Sequence, residues 1–305
     1  MTCYHPNNAH ITGTKSDGKK ILKFGLPAKA NQEALLLPCG QCIGCRLDRS
    51  IMWAARCMHE AQMHEQNCFL TLTYNEENLP YDGSLTPSHF TNFMKRYRHH
   101  VSPNKIRFFH GAEYGDNLQR PHHHVCIFGH EFTDTEIFRE CEGIYTYYSP
   151  TLEDLWGKGF CTQQDLTLES AAYVARYCLK KITGDKAHAH YERICPITGE
   201  IRQIQPEYAT MSRGTGIGKD WYDKYHSDIF PYDTTIYKGK NIRTPRYYEN
   251  LLRSADLPLF EEIKDRRKQK AIKQSNNNTP ERLRVREQHK RITFQQLNRT
   301  LHNET

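Results

Sequence analysis

His122-His123-His124-Val125-Cys126-Ile127-Phe128-Gly129 opens on three histidines and continues as an apolar run. A short run of this kind, bounded by Pro121 and Gly129, reads as a buried strand. Side chains alternate across a strand, so His122 and His124 share one face and His123 takes the other. Two imidazoles on one face can hold a divalent ion together. Upstream, Lys105-Ile106-Arg107-Phe108-Phe109-His110-Gly111 reads as a second strand. The link from Tyr114 to Pro121 is short and polar, so the two strands are expected to pair as an antiparallel hairpin. Glu113, just past the end of the first strand, is then a candidate third ligand. An ordinary hydrogen-bonded polar patch at a strand entrance accounts for the triplet equally well. His188-Ala189-His190 repeats the spacing, but no apolar strand follows it and no carboxylate strand precedes it, so it reads as a loop.

Outward from this hairpin, Phe69-Leu70-Thr71-Leu72-Thr73-Tyr74 is β-branched and aromatic and predicts another buried strand. Before it, Ile51, Met52, Ala55, Met58 and Ala61 recur at helical spacing and predict a helix from Leu47 to about Glu65. Leu85-Thr86-Pro87-Ser88 predicts a helix start, with Thr86 as cap and Pro87 in the first turn. That helix is expected to run to about His100. Thr133 to Glu140 reads as helical, Phe160-Cys161-Thr162-Gln163 as a short strand, and Leu168 to Ile182 as an amphipathic helix stopped by Gly184. Residues 1–46 read as irregular, and the pattern weakens beyond Gly184. From Glu261 the chain is polar and basic, a solvated helix or a mobile tail.

The fold class these elements predict is α+β, a central, mainly antiparallel sheet flanked by helices. The expected division is 1–64 for a cysteine-rich segment and helix, 65–185 for the sheet-bearing core, 186–260 for an accessory region and 261–305 for a basic tail.

The predicted helix at Leu168 carries Tyr173-Val174-Ala175-Arg176-Tyr177-Cys178-Leu179-Lys180-Lys181. Residues four apart stack on one helix face, so Tyr173 and Tyr177 belong together. A phenol with a pKa near 10 is a weak nucleophile at neutral pH unless a cation favours the phenolate. Arg176 and Lys180 each lie one turn from a tyrosine. Taken alone, such a stripe more often packs into a core. Its combination with paired histidines and a nearby carboxylate points instead to attack on phosphorus.

Charge agrees with a polyanionic partner. The chain has 42 Lys and Arg against 35 Asp and Glu, a formal net charge of +7. A basic balance favours nucleic acid or anionic membrane surfaces. No long apolar run or lipidation motif supports the membrane. Met1-Thr2-Cys3-Tyr4-His5 lacks a signal-peptide core, so a cytoplasmic location is expected. The 11 cysteines are then expected to be reduced, as core residues or metal ligands.

At this point the chain resembles the replication initiators of Microviridae bacteriophages, of the gokushovirus type, within the HUH endonuclease superfamily. Phe69–Tyr74 matches the first motif, Arg120-Pro121-His122-His123-His124 the metal motif, and Tyr173–Lys181 the two-tyrosine motif. Pro38-Cys39-Gly40-Gln41-Cys42-Ile43-Gly44-Cys45-Arg46, Met211–Gly218 and Arg246-Tyr247-Tyr248 are further family-like segments. His123 departs from the bulky apolar residue usual at that place. The resemblance implies a nickase that opens single-stranded DNA at a replication origin through a 5′-phosphotyrosine link, starting rolling-circle replication. It implies Tyr173, Tyr177 and Lys180 in catalysis and Mg²⁺ or Mn²⁺ on His122, His124 and Glu113. Host polymerase and helicase are the implied partners, in the bacterial cytoplasm. A plasmid relaxase or transposase of the same superfamily, and a non-catalytic, zinc-stapled single-strand-binding protein, are the alternatives.

Cys39, Cys42 and Cys45 form C-x₂-C-x₂-C, and Cys3 can supply a fourth thiolate to a structural zinc. An iron–sulfur cluster or three reduced thiols in a turn would fit the same spacing. Candidate DNA contacts are Arg46 and Arg49 on the first helix, Lys95 and Arg96 on the second, and Arg176 and Lys181 beside the tyrosines. Basic residues interleaved with aromatics suit single strands. Gly214-Thr215-Gly216-Ile217-Gly218-Lys219 lacks the spacing of a nucleotide-binding P-loop, so no nucleotide is expected there.

Overall fold

A computed structural model describes residues 3–16, 20–27, 34–115, 117–141, 143–177, 186–194, 198–237 and 239–295. The chain forms two compact units, Met1–Arg49 with Leu252–Arg299, and Ser50–Leu251. In chain order come β1 (Asn7–Thr14), β2 (Lys20–Phe24), β3 (Ala34–Leu37), α1 (Ile43–Ala61), β4 (Asn67–Leu72) and α2 (Pro87–His100). Next are β5 (Arg107–Tyr114), β6 (Pro121–Phe128), β7 (Glu136–Cys141), β8 (Ile144–Tyr148), α3 (Pro150–Trp156), β9 (Cys161–Asp165) and α4 (Leu168–Tyr177). Then follow α5 (Lys186–His190), β10 (Glu192–Ile194), β11 (Ile201–Gln203), β12 (Tyr208–Met211) and α6 (Lys219–Tyr225). The last elements are β13 (Thr235–Tyr237), β14 (Lys240–Ile242), α7 (Arg246–Ala255), α8 (Leu257–Lys273) and α9 (Pro280–Gln295).

The second unit is built on a seven-stranded sheet, ordered β12-β5-β6-β4-β9-β8-β7, whose pairings are all antiparallel. The α+β class read from the sequence holds. The sheet's centre is apolar on both faces because each face has its own cover. Leu70, Leu72, Val125 and Ile127 pack with Phe90, Phe93, Met94 and Tyr97 of α2 and with Trp156. On the other face Phe69, Phe109, Cys126 and Phe128 pack with Ala54 and Cys57 of α1 and Ala171, Tyr173 and Val174 of α4. A strand buried on both sides reads as a continuous apolar run, which is how β4 and the end of β6 look in the sequence.

Three expectations change. Thr133–Glu140 is not helical: Glu136–Cys141 is β7, hairpinned with β8 across Gly143, whose φ of 77° lies in the left-handed region. Every β7 residue from Glu136 to Glu140 is exposed, so no apolar stripe is available to hold a helix there. Its partner Ile144-Tyr145-Thr146-Tyr147-Tyr148 is β-branched and aromatic, which favours the hairpin. The N-terminal segment is not irregular throughout, since β2, β1 and β3 form a three-stranded sheet in the first unit. Asn7-Asn8-Ala9-His10 has little strand propensity, so pairing with Ala34–Leu37 decides its state. His188-Ala189-His190 belongs to the short helix α5 rather than a loop. At the other end, α8 and α9 are helices. The predicted end of the tyrosine helix, from Cys178 to Gly184, lies outside the described residues.

Candidate active site

Glu113 on β5 and His122 on β6 are register partners, and Gly111 faces His124. The alternation of both strands therefore sends Glu113, His122 and His124 to the face covered by α1 and α4. Gly111 adds no side chain opposite His124, which leaves that face open for the imidazole. One carboxylate oxygen of Glu113 lies 2.9 Å from His122 Nε2 and 3.1 Å from His124 Nε2. The three ligand atoms lie within 4.8 Å of one another, a group that could hold a metal ion.

Second contacts set the ring orientations. His122 Nδ1 is 3.2 Å from the Arg120 carbonyl, an acceptor only, so Nδ1 carries the proton and Nε2 the lone pair of the neutral ring. His124 Nδ1 meets the Thr71 hydroxyl at 3.1 Å, and Phe69 stacks on the His124 ring with centroids 5.6 Å apart. Both Nε2 atoms thus turn to a carboxylate that can only accept, a pairing satisfied by a shared cation or by protons. Burial pushes the Glu113 carboxyl up, but hydrogen bonds from His122 and His124 and their charges outweigh it and hold it at about 2. Glu113 is anionic at neutral pH, as a metal ligand must be. The donor set of two imidazoles and one carboxylate fits Mn²⁺ and tolerates Mg²⁺.

Tyr173 on α4 packs its ring edge-on against His124, with centroids 4.9 Å apart, and is only 4 % exposed. Tyr177 and Arg176 lie on the same helix, and nothing is described of their side chains. Lys180 and Lys181 lie outside the described residues.

His123 points to the other face. It bonds Tyr74 Oη at 3.1 Å and His110 Nε2 at 3.0 Å, and burial first, then the neighbouring imidazoles, hold it neutral down to about pH 3. Lys95 and Arg96 also sit on the helix that covers that other face. Arg96 donates to the Leu155 and Trp156 carbonyls at 2.8 and 3.0 Å, tying down the end of α3. Arg46 and Arg49 fall in the first unit, where Arg49 donates to the Gly40 carbonyl at 3.3 Å.

The Gly214–Lys219 loop is held internally. The Gly218 N–H donates to Glu60 at 2.6 Å, and Arg56 to the Ile217 carbonyl at 3.0 Å. Burial raises Glu60, while His64, the Gly218 amide and Arg107 (2.8 Å away) outweigh it and keep it ionised. A Cβ on Gly218 would collide with the Tyr248 hydroxyl, so glycine is required by the close approach as well as by its φ of 78°. Thr71, Glu60 and Arg107 went unnoticed in the sequence; only Thr71 lay within a quoted motif, and no spacing marks any of them.

In the first unit, Cys3, Cys39, Cys42 and Cys45 bring their sulfurs within 4.8 Å of one another. Backbone N–H groups point at them: Cys39 N to Cys3 Sγ at 3.2 Å, Cys42 N to Cys39 Sγ at 3.3 Å and Tyr4 N to Cys42 Sγ at 3.3 Å. For Cys39, burial opposes ionisation, but amides of Cys42 and Gln41 outweigh it and lower the thiol to about 7. Four such donors fit a tetrahedral zinc with bonds of about 2.3 Å.

The fold and site define a class, an α+β protein carrying a two-histidine, one-carboxylate group on an antiparallel sheet beneath a tyrosine-bearing helix. Residues 67–182 match the family model for replication-associated protein ORF2. The chain is 33 % identical over 226 residues to replication-associated protein ORF2 of Spiroplasma virus 4, covering 70 % of this chain and 66 % of that one. It is 33 % identical over 262 residues to replication-associated protein VP4 of Bdellovibrio phage phiMH2K, covering 82 % and 76 %. Against replication-associated protein ORF4 of Chlamydia phage 1 it is 30 % identical over 233 residues, 74 % of this chain but 55 % of that one. No solved structure matches. This chain belongs to the replication-associated protein family of Microviridae bacteriophages.

Proposed function

We propose that this chain initiates rolling-circle replication by nicking and rejoining single-stranded DNA at an origin. The observation that carries the reading is the convergence of Glu113, His122 and His124 within 4.8 Å, with Tyr173 packed on His124. Membership of a family named for replication supports it.

When bound there, Mg²⁺ or Mn²⁺ supplies stabilisation of charge on the scissile phosphate. The phenol oxygen of Tyr173 or Tyr177 attacks phosphorus, and the bond from phosphorus to the 3′ oxygen breaks. The phenol proton passes to solvent or a base, and the leaving 3′ oxygen takes one up. Arg176 and Lys180 favour the phenolate by charge. The product is a 5′-phosphotyrosine and a free 3′-OH, which primes host polymerase while a host helicase opens the duplex in the bacterial cytoplasm. Attack by a 3′-OH on the phosphotyrosine reverses the step and rejoins the strand. Two tyrosines allow a second cleavage before the first junction is resolved.

Covalent capture tests this. Wild-type protein with circular single-stranded DNA of its own genome and Mn²⁺ should give an adduct that survives a denaturing gel. Tyr173→Phe/Tyr177→Phe should give none, and neither should a chelator control. DNA binding without any adduct, under either metal, would point to a non-catalytic single-strand-binding protein instead.

A further inference from the structure

The charge of this chain is not spread evenly. Residues 257–295, covering α8 and α9, hold eleven Lys and Arg against five Asp and Glu, a net +6 of the chain's +7. Within that segment the basic residues of α9 divide between two faces. At 100° per residue, Arg282, Arg286, His289 and Lys290 fall on one side, and Arg284 and Arg291 on the other.

The first of these sides lines a cleft of about 320 Å³, together with Val285 and Tyr4. None of the six lining residues is acidic. The guanidinium groups are aimed rather than free: Arg286 donates to the Asn277 carbonyl and to Asn278, both at 2.9 Å, and Arg282 to Asn277 at 3.3 Å. Arg282, His289 and Lys290 are exposed, and Tyr4 and Arg286 half-buried.

The cysteine group sets the other wall. Tyr4 follows Cys3 directly and is tied by its N–H to Cys42 Sγ at 3.3 Å. His5 bonds the buried Glu287 of α9 at 2.6 Å, and Glu287 also holds Arg291 at 2.7 Å. The segment that ends in the sulfur cluster is thereby clamped to α9, with the Tyr4 ring beside Arg286.

We propose that this cleft, formed by Tyr4 and the Arg282–Lys290 face of α9, is a second binding site for single-stranded DNA, separate from the histidine site. The cations neutralise successive phosphates, and Tyr4 offers a surface on which an unpaired base stacks. An unpaired strand fits better than a duplex because the aromatic is in the cleft itself, where only an unstacked base can reach it. The inference rests on the DNA-nicking reading for its partner but not for its geometry.

The test is fluorescence anisotropy with full-length, zinc-loaded protein and a labelled oligo-dT strand of about 20 nucleotides, across a salt series. Arg282→Gln/His289→Gln/Lys290→Gln changes only exposed side chains. It is expected to weaken binding at least about fivefold and to flatten the slope of log affinity against log salt by about 1.4, two phosphate contacts at about 0.7 each. Tyr4→Leu is expected to weaken binding about fivefold or more with the salt slope kept. Arg284→Gln/Arg291→Gln removes the same charge from the opposite side and should leave affinity within about twofold. Equal losses from the two sides, or a wild-type slope in the triple variant, overturn the site. So does a duplex that competes as well as the single strand. The metal-dependent adduct is read in parallel. If wild type forms none, the nicking reading fails while the salt slopes still decide the cleft.

Discussion

The two groups of metal donors in this chain are built in opposite ways. Three of the four cysteines lie between positions 39 and 45, so the chain assembles most of that group locally. Glu113 and His122 are nine residues apart and meet at 2.9 Å because β5 and β6 pair in one register. The cysteine group offers four like donors, which close a tetrahedron and leave no place for a substrate. The sheet group offers three, two imidazoles and one carboxylate, and leaves coordination positions open. The first arrangement suits holding a chain together, and the second suits chemistry on something that arrives.

The largest effect should come from breaking the closed group. Cys42→Ser is expected to release one equivalent of zinc and to remove hydrogen-exchange protection from β1 and α9, since zinc binding of this type is worth about 10–16 kcal/mol to folding. Protection in β4 to β6 should persist. If Cys42→Ser keeps its metal and its protection, the contrast collapses. The converse change is His122→Gln/His124→Gln. The adduct should fall by at least about 100-fold while the cysteine zinc stays at one equivalent by metal analysis. Loss of both metals would show that the groups are not independent.

Thr71→Val sharpens the contrast further, because it touches no ligand atom. The His124 ring loses the hydroxyl that fixes it at 3.1 Å, and Mn²⁺ affinity at the sheet should drop about 10- to 100-fold by calorimetry. An unchanged affinity would mean that packing against Phe69 and Tyr173 orients the ring alone. The smallest effect is on pH. Burial holds His59 at about 4, below its ordinary 6.5, so its folded form binds fewer protons than the unfolded chain. Its contribution is present above 6.5 and is lost as pH falls towards 4, by up to about 1.4 kcal/mol per pH unit. Denaturant unfolding of wild type and His59→Phe should differ in slope across that window. Parallel slopes would show that another group carries the dependence.

Much of the fold was legible because several elements announce themselves locally. Pro87 in a first turn and an apolar stripe through Phe90, Phe93 and Tyr97 mark α2 without reference to anything else. The start was misread only in detail, since Thr86 caps by position and its side chain makes no capping bond. β7 was not legible, because Glu136–Cys141 has neither a buried stripe nor an alternating one, and its partner strand decides it. The basic residues of α2 illustrate the same limit from the other side. Lys95 and Arg96 look like DNA contacts in the sequence, yet Arg96 is engaged with the α3 carbonyls on the face away from Glu113.

Strand alternation, a property of one stretch of backbone, was enough to put His122 and His124 together and His123 apart. Helical periodicity likewise paired Tyr173 with Tyr177, and the cysteine spacing nominated a metal group. What the sequence could not decide is distance across the sheet. Thr71 is 53 residues from His124, and only the β4–β6 register brings its hydroxyl to the ring. Tyr173 reaches His124 only because α4 lies over that face of the sheet. Local periods fix which way a side chain points, whereas which side chain it then meets depends on pairings between distant segments, and those form only when the whole core packs.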